Sequence, residues 1–203
     1  MADLDANSLV LASASHTRAR LLAAAGLSFV CRPADVDEGA IKDDCRRRGV
    51  SADEAALVLA EAKASSVSPQ YPDALVIGAD QLMVCGDVWY DKPLSRQGAR
   101  ETLVGLRGRD HRLISGVAVA RAGTIVWRHL EVAQLTMRHY SDDFIDWYLA
   151  RAGEADFQSV GACRLEGLGV QAFARVSGDY FTILGIPLVP LLEFLRQEQV
   201  LPV

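Results

Sequence analysis

Short apolar runs rich in β-branched residues alternate with capped helical segments along the chain, and this alternation restricts the fold more than any other feature. The runs at 8–13 and 74–79 have the length and composition of buried strands. Helix start signals lie between them: Ser15 is an N-cap candidate, and Ser51 with Glu54 has capping-box spacing. Strands that alternate with helices are typical of the α/β class. The sequence therefore predicts an α/β fold.

The second half of the chain continues the pattern. Two long strand candidates, 111–122 and 124–138, are separated by Ala122 and Gly123, which predicts a β-hairpin. Further helices are predicted within 95–108, 141–153 and 186–199, and a last strand within 169–181. There is no internal repeat and no linker in the 203 residues, so we expect a single domain spanning 1–203.

Composition excludes several classes of protein. The formal net charge of −5 argues against a partner that is a nucleic-acid polymer, because such binders usually carry a basic face. No apolar run approaches the length that spans a bilayer, and residues 1–8 lack the pattern of a signal peptide, so no membrane is expected as a partner. The cysteines are widely spaced without a CxxC pair, which favours reduced thiols and a cytoplasmic location. They are Cys31, Cys45, Cys85 and Cys163.

Two carboxylates are candidates for chemistry. Asp80 follows the apolar run 74–79, and Glu38 follows a short predicted strand. Carboxylates at the ends of buried strands are where α/β folds collect ligands and divalent cations. The alternative for Asp80 is a residue that initiates a turn, and Asp35 and Asp37 compete with Glu38 for its role. The small residue Gly78, which would allow close approach, favours a functional Asp80.

Basic and hydroxyl side chains supply a possible anion site. Ser13, Ser15 and Arg18 lie where a strand leads into a helix, and the unpaired N–H groups of a helix N-terminus attract anions. The alternative is a plain serine cap with an exposed arginine. Lys63, late in an alanine-rich helix, and Lys92, before a proline, could neutralise phosphates, although most lysines are simply solvated.

Other nucleotide and hydrolase motifs are rejected. Residues 167–172 match GxGxxA, but the residues that follow alternate like a strand, whereas a dinucleotide site needs a helix there. No GxxxxGK[ST] pattern occurs. Neither Ser13 nor Ser15 lies in GxSxG, so a serine hydrolase has no support.

Taken together, six collinear stretches resemble the Maf family of nucleoside triphosphate pyrophosphatases over nearly the whole chain. They are LVLASASHTRARLLAAAGLSFVCRPADVDE, EAKA, VIGADQ, DKP, GRDHRLISGVAVA and GLGVQAFARVSGDYFTILGIPLVPLLEFL. The resemblance implies an elongated, bent mixed sheet flanked by helices, with a deep central cleft, related to the inosine-triphosphate pyrophosphatases. It also implies hydrolysis of a nucleoside triphosphate to the monophosphate and pyrophosphate, helped by a divalent cation, Mg²⁺ or Mn²⁺.

The resemblance also assigns roles to residues. Asp80 matches the acid assigned as proton acceptor and Glu38 the second carboxylate, and these two would hold the metal. The polar residues of the family's cleft match Ser13, Arg18, Lys63 and Lys92, to which Ser15 adds the helix N-terminus. A homodimer is a further implication.

Three positions divide the family by substrate, and here they are Thr17, Gln81 and Glu166. Gln81 and Glu166 match the group similar to 7-methyl-GTP pyrophosphatases, which has tryptophan at the first position, where this chain has Thr17. The resemblance therefore implies a house-cleaning enzyme for 7-methyl-GTP or another modified nucleotide. Two alternatives stay open: a pyrophosphatase for dTTP and UTP, and a non-catalytic nucleotide-binding regulator of septum formation.

Overall fold

The chain is described by a computed structural model that covers residues 8–157 and 159–202. The signal-peptide prediction falls mostly on residues 1–7, which lie outside this range. The described residues form an α/β fold, as predicted. The strands are β1 (Leu9–Leu11), β2 (Phe29–Cys31), β3 (Leu75–Cys85), β4 (Val88–Tyr90), β5 (Asp110–Arg121), β6 (Thr124–Met137) and β7 (Phe173–Ser177). The helices are α1 (His16–Ala24), α2 (Glu38–Arg47), α3 (Ala52–Val67), α4 (Arg96–Leu106), α5 (Asp142–Arg151), α6 (Glu154–Phe157), α7 (Tyr180–Ile183) and α8 (Leu188–Gln197).

The strands form one mixed seven-stranded sheet. Its order is β2-β1-β3-β5-β6-β7, and β4 pairs with β3 outside this path. β1 is parallel to both of its neighbours, with Leu9 opposite Phe29 on one side and Leu75 on the other. β4 and β7 pair antiparallel with β3 and β6. Parallel strands joined through helices are what the alternating sequence pattern predicts.

The chain divides into two compact units. The first comprises the described residues of Met1–Gln81, Ser115–Glu131 and Tyr180–Val203, and the second comprises those of Leu82–Ile114 and Val132–Asp179. The expectation of a single domain over 1–203 stays a prediction.

In the first unit, β1 is buried on both faces. Leu9 and Leu11 belong to a cluster with side chains of α1 and α8, whereas Val10 and Ala12 point the other way and pack near Val67 of α3. Successive side chains of a strand point to opposite faces, so a strand that is covered on both sides consists of consecutive apolar residues. This explains why the run LVLA carries no polar alternation.

Helix α3 lies against β3 and β5 at backbone contact distance. A Cβ added at Gly78 would lie 2.2 Å from the carbonyl oxygen of Ala60, and one added at Gly116 would lie 2.6 Å from that of Ala56. Glycine on the strands and alanine on the helix therefore permit this approach. The small size of Gly78 therefore serves helix packing, and its link to a functional Asp80 stays a prediction.

The second unit has its own buried residues. Tyr148 of α5 is fully buried and its hydroxyl donates to the carbonyl of Ala162, at 3.0 Å. Tyr140 donates likewise to Leu103 of α4, at 2.7 Å. Each buried phenol therefore has an acceptor, as the desolvation of a polar group requires.

The local start and turn signals are confirmed. Ser15, Ser51, Ser95 and Ser141 each cap a helix and accept a hydrogen bond from a backbone N–H three residues on. Ala122 and Gly123 both have positive φ, as a tight hairpin requires. The last predicted strand, 169–181, is found only at 173–177, as β7, and is preceded by a 3₁₀ helix at 168–172.

All four cysteines are free thiols. Within 8–157 and 159–202, no helix combines the length and the apolar character needed to cross a membrane.

Candidate active site

Asp80 lies inside a strand and not at its end, which corrects the sequence interpretation. β3 continues for five residues beyond it, to Cys85. The parallel neighbour β1, however, pairs with β3 only as far as Ile77, and Ala12 donates to the carbonyl of Ile77 at 2.8 Å. Asp80 therefore lies past the end of β1. The apolar run in the sequence therefore stops close to where the neighbouring strand β1 ends, and not where β3 ends.

Lys63 joins the two predicted carboxylates. Its Nζ lies 2.6 Å from Oδ1 of Asp80 and 2.7 Å from Oε1 of Glu38. The side chains of Lys63 and Asp80 are each 8% exposed, whereas that of Glu38 is 47% exposed. The site therefore grades from a buried ion pair at Asp80 to a solvent-facing carboxylate at Glu38. An ion pair this deep retains its attraction because little water screens it.

The structure distinguishes Glu38 from its acidic neighbours. Asp37 is the N-cap of α2 and its Oδ1 accepts from the N–H of Ala40 at 2.9 Å, so its side chain is occupied in starting the helix. Glu38 is the first residue of that helix and contacts Lys63. Glu38, and not Asp37, is therefore the acid that contacts Lys63, while its implied catalytic and metal-binding role stays a prediction.

The loop between β1 and α1 places two hydroxyls and a guanidinium together. The Oγ of Ser13 accepts from the N–H of Ser15 at 3.1 Å and from Nη1 of Arg18 at 3.3 Å. The Nε of Arg18 donates to the carbonyl of Gly185 at 2.8 Å. Ser15 caps the helix through the N–H of Arg18. Arg18 is thus fixed by both the loop and the segment after α7, and it is not the exposed arginine of the alternative interpretation.

Burial lowers the pKa of Arg18 from its ordinary value, and the negative charges of Asp80 and Glu38 offset part of this effect. Arg18 is 9% exposed. Both carboxylates therefore act on it electrostatically, which links the Ser13 loop to the Lys63 ion pair. The residues brought together are Ser13, Ser15, Arg18, Glu38, Lys63 and Asp80.

Gln81 lies next to this group and is held by residues that the sequence analysis did not identify. Its Nε2 lies 2.9 Å from Oγ of Ser115, 2.9 Å from the carbonyl of Thr182 and 3.1 Å from that of Ile183. The hydroxyl of Thr182 in turn contacts Glu131. No local motif marks these partners, since they come from distant parts of the chain.

Three predicted site residues remain: Thr17, Lys92 and Glu166. Thr17 is half-buried in α1. Lys92 and Glu166 belong to the second unit, where Lys92 is exposed after β4 and Glu166 pairs with Arg164. Their roles stay predictions.

A cavity of about 160 Å³ in the second unit is lined by none of the predicted site residues; its walls are Val84, Gly86, Asp110, His111, Arg112, Gln134, Thr136 and Arg175.

The donor set fits a divalent cation that is shared with a substrate. Within the described ranges, no group of three or more His, Cys, Asp or Glu side chains could hold a metal by itself. Glu38 and Asp80 are nevertheless near enough to contact one ammonium group. Mg²⁺ is typically bound by one or two carboxylates, with waters and phosphates completing its shell. Two acids are therefore sufficient where the substrate brings phosphate oxygens.

Comparison with known proteins places the whole sequence beside one family. A family model described as Maf-like protein matches residues 8–198. The chain is 50% identical to the nucleoside triphosphate pyrophosphatase of Granulibacter bethesdensis, over 96% of this chain and 99% of the relative. It is 52% identical to the protein of that name in Paramagnetospirillum magneticum, over 93% and 97%. It is 49% identical to the 7-methyl-GTP pyrophosphatase of Rhizobium meliloti, over 93% and 95%.

Proposed function

The chain belongs to the Maf-like protein family, and on that premise we propose that it is a nucleoside triphosphate pyrophosphatase. The reaction would convert a nucleoside triphosphate and water into the nucleoside monophosphate and pyrophosphate. The observation that supports this proposal best is the contact of Lys63 with both Asp80 and Glu38, beside the buried Arg18. Neighbouring acids and cations suit a reaction in which water is the nucleophile and a polyanion is the leaving group.

Asp80 is the proposed acceptor of the proton. Its Oδ1 is occupied by Lys63, and among the described residues no donor is bonded to Oδ2. Oδ2 can therefore accept a proton from water as the water oxygen bonds to the α-phosphorus. The bond from the α-phosphorus to the bridging oxygen breaks, and its electron pair leaves with pyrophosphate.

Cations and hydroxyl groups would offset the charge that develops on the phosphates. Arg18 and the helix N-terminus at Ser15 lie at the loop after β1, where the oxygen of Ser13 already accepts two hydrogen bonds. The hydroxyl proton of Ser13 can consequently be donated to a phosphate oxygen. Lys63 holds the acids in place, and we assign Lys92 to the leaving pyrophosphate. A divalent cation, Mg²⁺ or Mn²⁺, held by Glu38 and Asp80 would polarise the phosphate oxygens.

We propose 7-methyl-GTP, or another modified guanine nucleotide, as the substrate. Glu166 supports this, since guanine offers N1–H and N2–H₂ donors to a carboxylate and N7-methylation places positive charge on the ring. Thr17 departs from the aromatic residue of that subgroup. Stacking of a base on an aromatic ring contributes about 1–3 kcal/mol, so binding without it should be weaker.

The test is pyrophosphate release from 7-methyl-GTP, GTP, dTTP, UTP, CTP and ITP, with Mg²⁺ and with Mn²⁺. We expect preferential turnover of 7-methyl-GTP. Selective turnover of dTTP or UTP would retain the enzyme and remove the substrate assignment. Nucleotide binding without pyrophosphate release from any of these nucleotides would favour the non-catalytic regulator.

Asp80→Asn tests the mechanism. We expect kcat to fall by about 10²–10⁴, the usual contribution of a general base, with the fold retained. Asp87→Asn is the matched control, because Asp87 is exposed in the turn between β3 and β4. Undiminished turnover by Asp80→Asn would remove Asp80 from the mechanism.

A further inference from the structure

Thr182, a residue of the short helix α7, is fully buried and ties that helix to the sheet. Its carbonyl oxygen accepts from Oγ of Ser115 on β5 at 2.8 Å and from Nε2 of Gln81 on β3 at 2.9 Å. Its hydroxyl donates to the carboxylate of Glu131 on β6. One residue is therefore held by three strands, through both its backbone and its side chain.

Gly185, three residues further on, is attached to Thr182. Its N–H donates to the carbonyl of Thr182 at 3.0 Å. Its φ is +101°, a backbone conformation that disfavours residues other than glycine. The carbonyl of Gly185 accepts from Nε of Arg18 at 2.8 Å. A series of hydrogen bonds therefore connects Glu131 on β6 to Arg18 through α7 and the turn after it.

The guanidinium of Arg18 is planar, so two hydrogen bonds fix its orientation. Nε donates to Gly185, and Nη1 donates to Oγ of Ser13 at 3.3 Å. These bonds use two of the five N–H groups, and the rigid fork then sets the directions of the others. Ser13 lies only five residues from Arg18, whereas Gly185 lies 167 residues away. The Gly185 carbonyl therefore ties the guanidinium to a distant part of the chain.

We propose that Thr182 is a positioning residue for the reaction: it holds the carbonyl of Gly185, and through it the guanidinium of Arg18, in the orientation that binds phosphate oxygens. The inference rests on the proposed function, because it assumes that Arg18 binds the phosphates. Helix α7 spans only Tyr180–Ile183, and so short a helix has little stability of its own. Loss of the hydroxyl contact with Glu131 should therefore let the Gly185 carbonyl move.

The experiment measures kcat/KM for pyrophosphate release, with the nucleotide of the panel that the wild-type protein turns over fastest. Thr182→Val keeps the shape of the side chain and removes its hydroxyl. We expect kcat/KM to fall about tenfold, because misplacing a substrate-binding group by about 1 Å can cost up to about 10²-fold. Thr182→Ser keeps the hydroxyl and should retain most of the activity. Glu131→Leu breaks the same contact from the half-buried side, and it supplies the test if Thr182→Val does not fold.

A double-mutant cycle with Arg18→Lys separates positioning from a general loss of structure. Lysine retains the positive charge but not the planar fork, so the Gly185 carbonyl no longer has a guanidinium to orient. In that background Thr182→Val should lower kcat/KM by about twofold at most, because the two residues act through one contact. If Thr182 acted independently of Arg18, the two losses would multiply instead.

Thr136→Val is the matched control. Thr136 also donates to a carboxylate, that of Asp110, but it lies in the second unit and should leave kcat/KM unchanged. Full activity of Thr182→Val and Glu131→Leu, or an equal loss in the wild-type and Arg18→Lys backgrounds, would overturn the inference. Absence of pyrophosphate release by the wild-type protein from every nucleotide would instead remove the proposed function on which it rests.

Discussion

At the residue scale, one lysine compensates two acids of different environment. Asp80 is buried and Glu38 is half exposed, yet both contact the same Nζ. A buried carboxylate without a partner is costly, whereas the exposed one is stabilised by water. The pair with Asp80 should therefore dominate the effect of Lys63 on stability, and the contact with Glu38 should matter more for the arrangement of the site.

Lys63→Met tests this asymmetry. It leaves Asp80 buried without its cation, so we expect the free energy of unfolding to fall by about 3–5 kcal/mol near neutral pH, together with loss of turnover. Denaturant unfolding measures the first effect and pyrophosphate release the second. Asp80→Asn in the same chain should recover part of the lost stability and none of the activity, whereas Glu38→Gln should recover little.

The control is Lys42→Met, on the half-buried face of α2, which should change stability far less. Equal destabilisation by the two lysine substitutions would contradict the importance of the buried pair.

His111 gives the molecule a stability that depends on pH. It is 4% exposed, and burial lowers its pKa to about 4, although Asp110 and a hydrogen bond to the backbone of Arg109 act in the opposite direction. Between about pH 6.5 and pH 4 the unfolded chain binds a proton at this residue that the folded chain does not. Stability must therefore fall as the pH falls through this window, by about 3 kcal/mol in total.

His111→Gln should remove this contribution, so its free energy of unfolding should change less than that of the wild type between pH 7 and pH 4. Chemical denaturation at several pH values measures the slopes. His139→Gln changes an exposed histidine of the same unit and should leave the wild-type slope intact. A His111→Gln slope equal to that of the wild type would show that the buried ring does not titrate as described.

Residue types in the site could be predicted from the sequence, but their partners could not. Serine caps follow from spacing within one helix turn, and Ser15 was predicted correctly for that reason. The choice of Glu38 over Asp35 and Asp37 needed the position of Lys63, which comes from another helix. Ser115 and Thr182 lie 34 and 101 residues from Gln81, a separation at which no local pattern exists.

At the scale of elements, the contact of α3 with β3 fixes the distance between Lys63 and Asp80. Gly78 precedes Asp80 by two residues on the same strand face, and it faces Ala60 and Ala64 of the helix that carries Lys63. The ion pair is therefore set by packing of backbone on backbone. A helix kept further away would leave Lys63 unable to contact both acids in the same way.

Gly78→Ala should separate these elements. The added Cβ would lie 2.2 Å from a backbone oxygen that cannot rotate away, so we expect a loss of about 1–3 kcal/mol in the free energy of unfolding. Turnover should fall as well, because Lys63 moves relative to Asp80. Gly98→Ala is the control: its Cβ meets only the side-chain atoms of Ser95 and Pro93, and alanine favours a helix by up to about 1 kcal/mol. Full activity and stability of Gly78→Ala would refute the tight packing.

Most element types were predicted because each depends on local sequence, but the predicted strand 169–181 contains a 3₁₀ helix and the start of α7 beside β7, and the extent of β3 was not predicted. The apolar run ends at Ala79, yet the strand continues to Cys85 through a charge and an amide. Asp80 can lie within a strand because Lys63 compensates its charge. The sequence could not reveal that compensation, because Lys63 lies 17 residues away on a helix.

At the scale of the whole molecule, the two units are interleaved along the chain. The first is assembled from three segments and the second from two. Three of the four divisions fall inside strands: between Gln81 and Leu82 in β3, between Ile114 and Ser115 in β5, and between Glu131 and Val132 in β6. The fourth lies between β7 and α7. A contiguous piece of chain therefore cannot supply either unit.

We predict that the chain unfolds in one cooperative transition, as a single domain would. Three strands, β3, β5 and β6, pass through both units without a break. Unfolding of either unit would therefore disorder part of each of these strands. Calorimetry should then give a calorimetric enthalpy equal to the van't Hoff enthalpy.

Two substitutions, one in each unit, test whether both units unfold in that transition. Gly78→Ala lies in the first unit, and Tyr148→Phe in the second removes a buried hydrogen bond worth about 1 kcal/mol. Each should move the same single transition to lower temperature. Two transitions, of which each substitution moves a different one, would show instead that the units are independent domains whose strands are continuous only in the covalent chain.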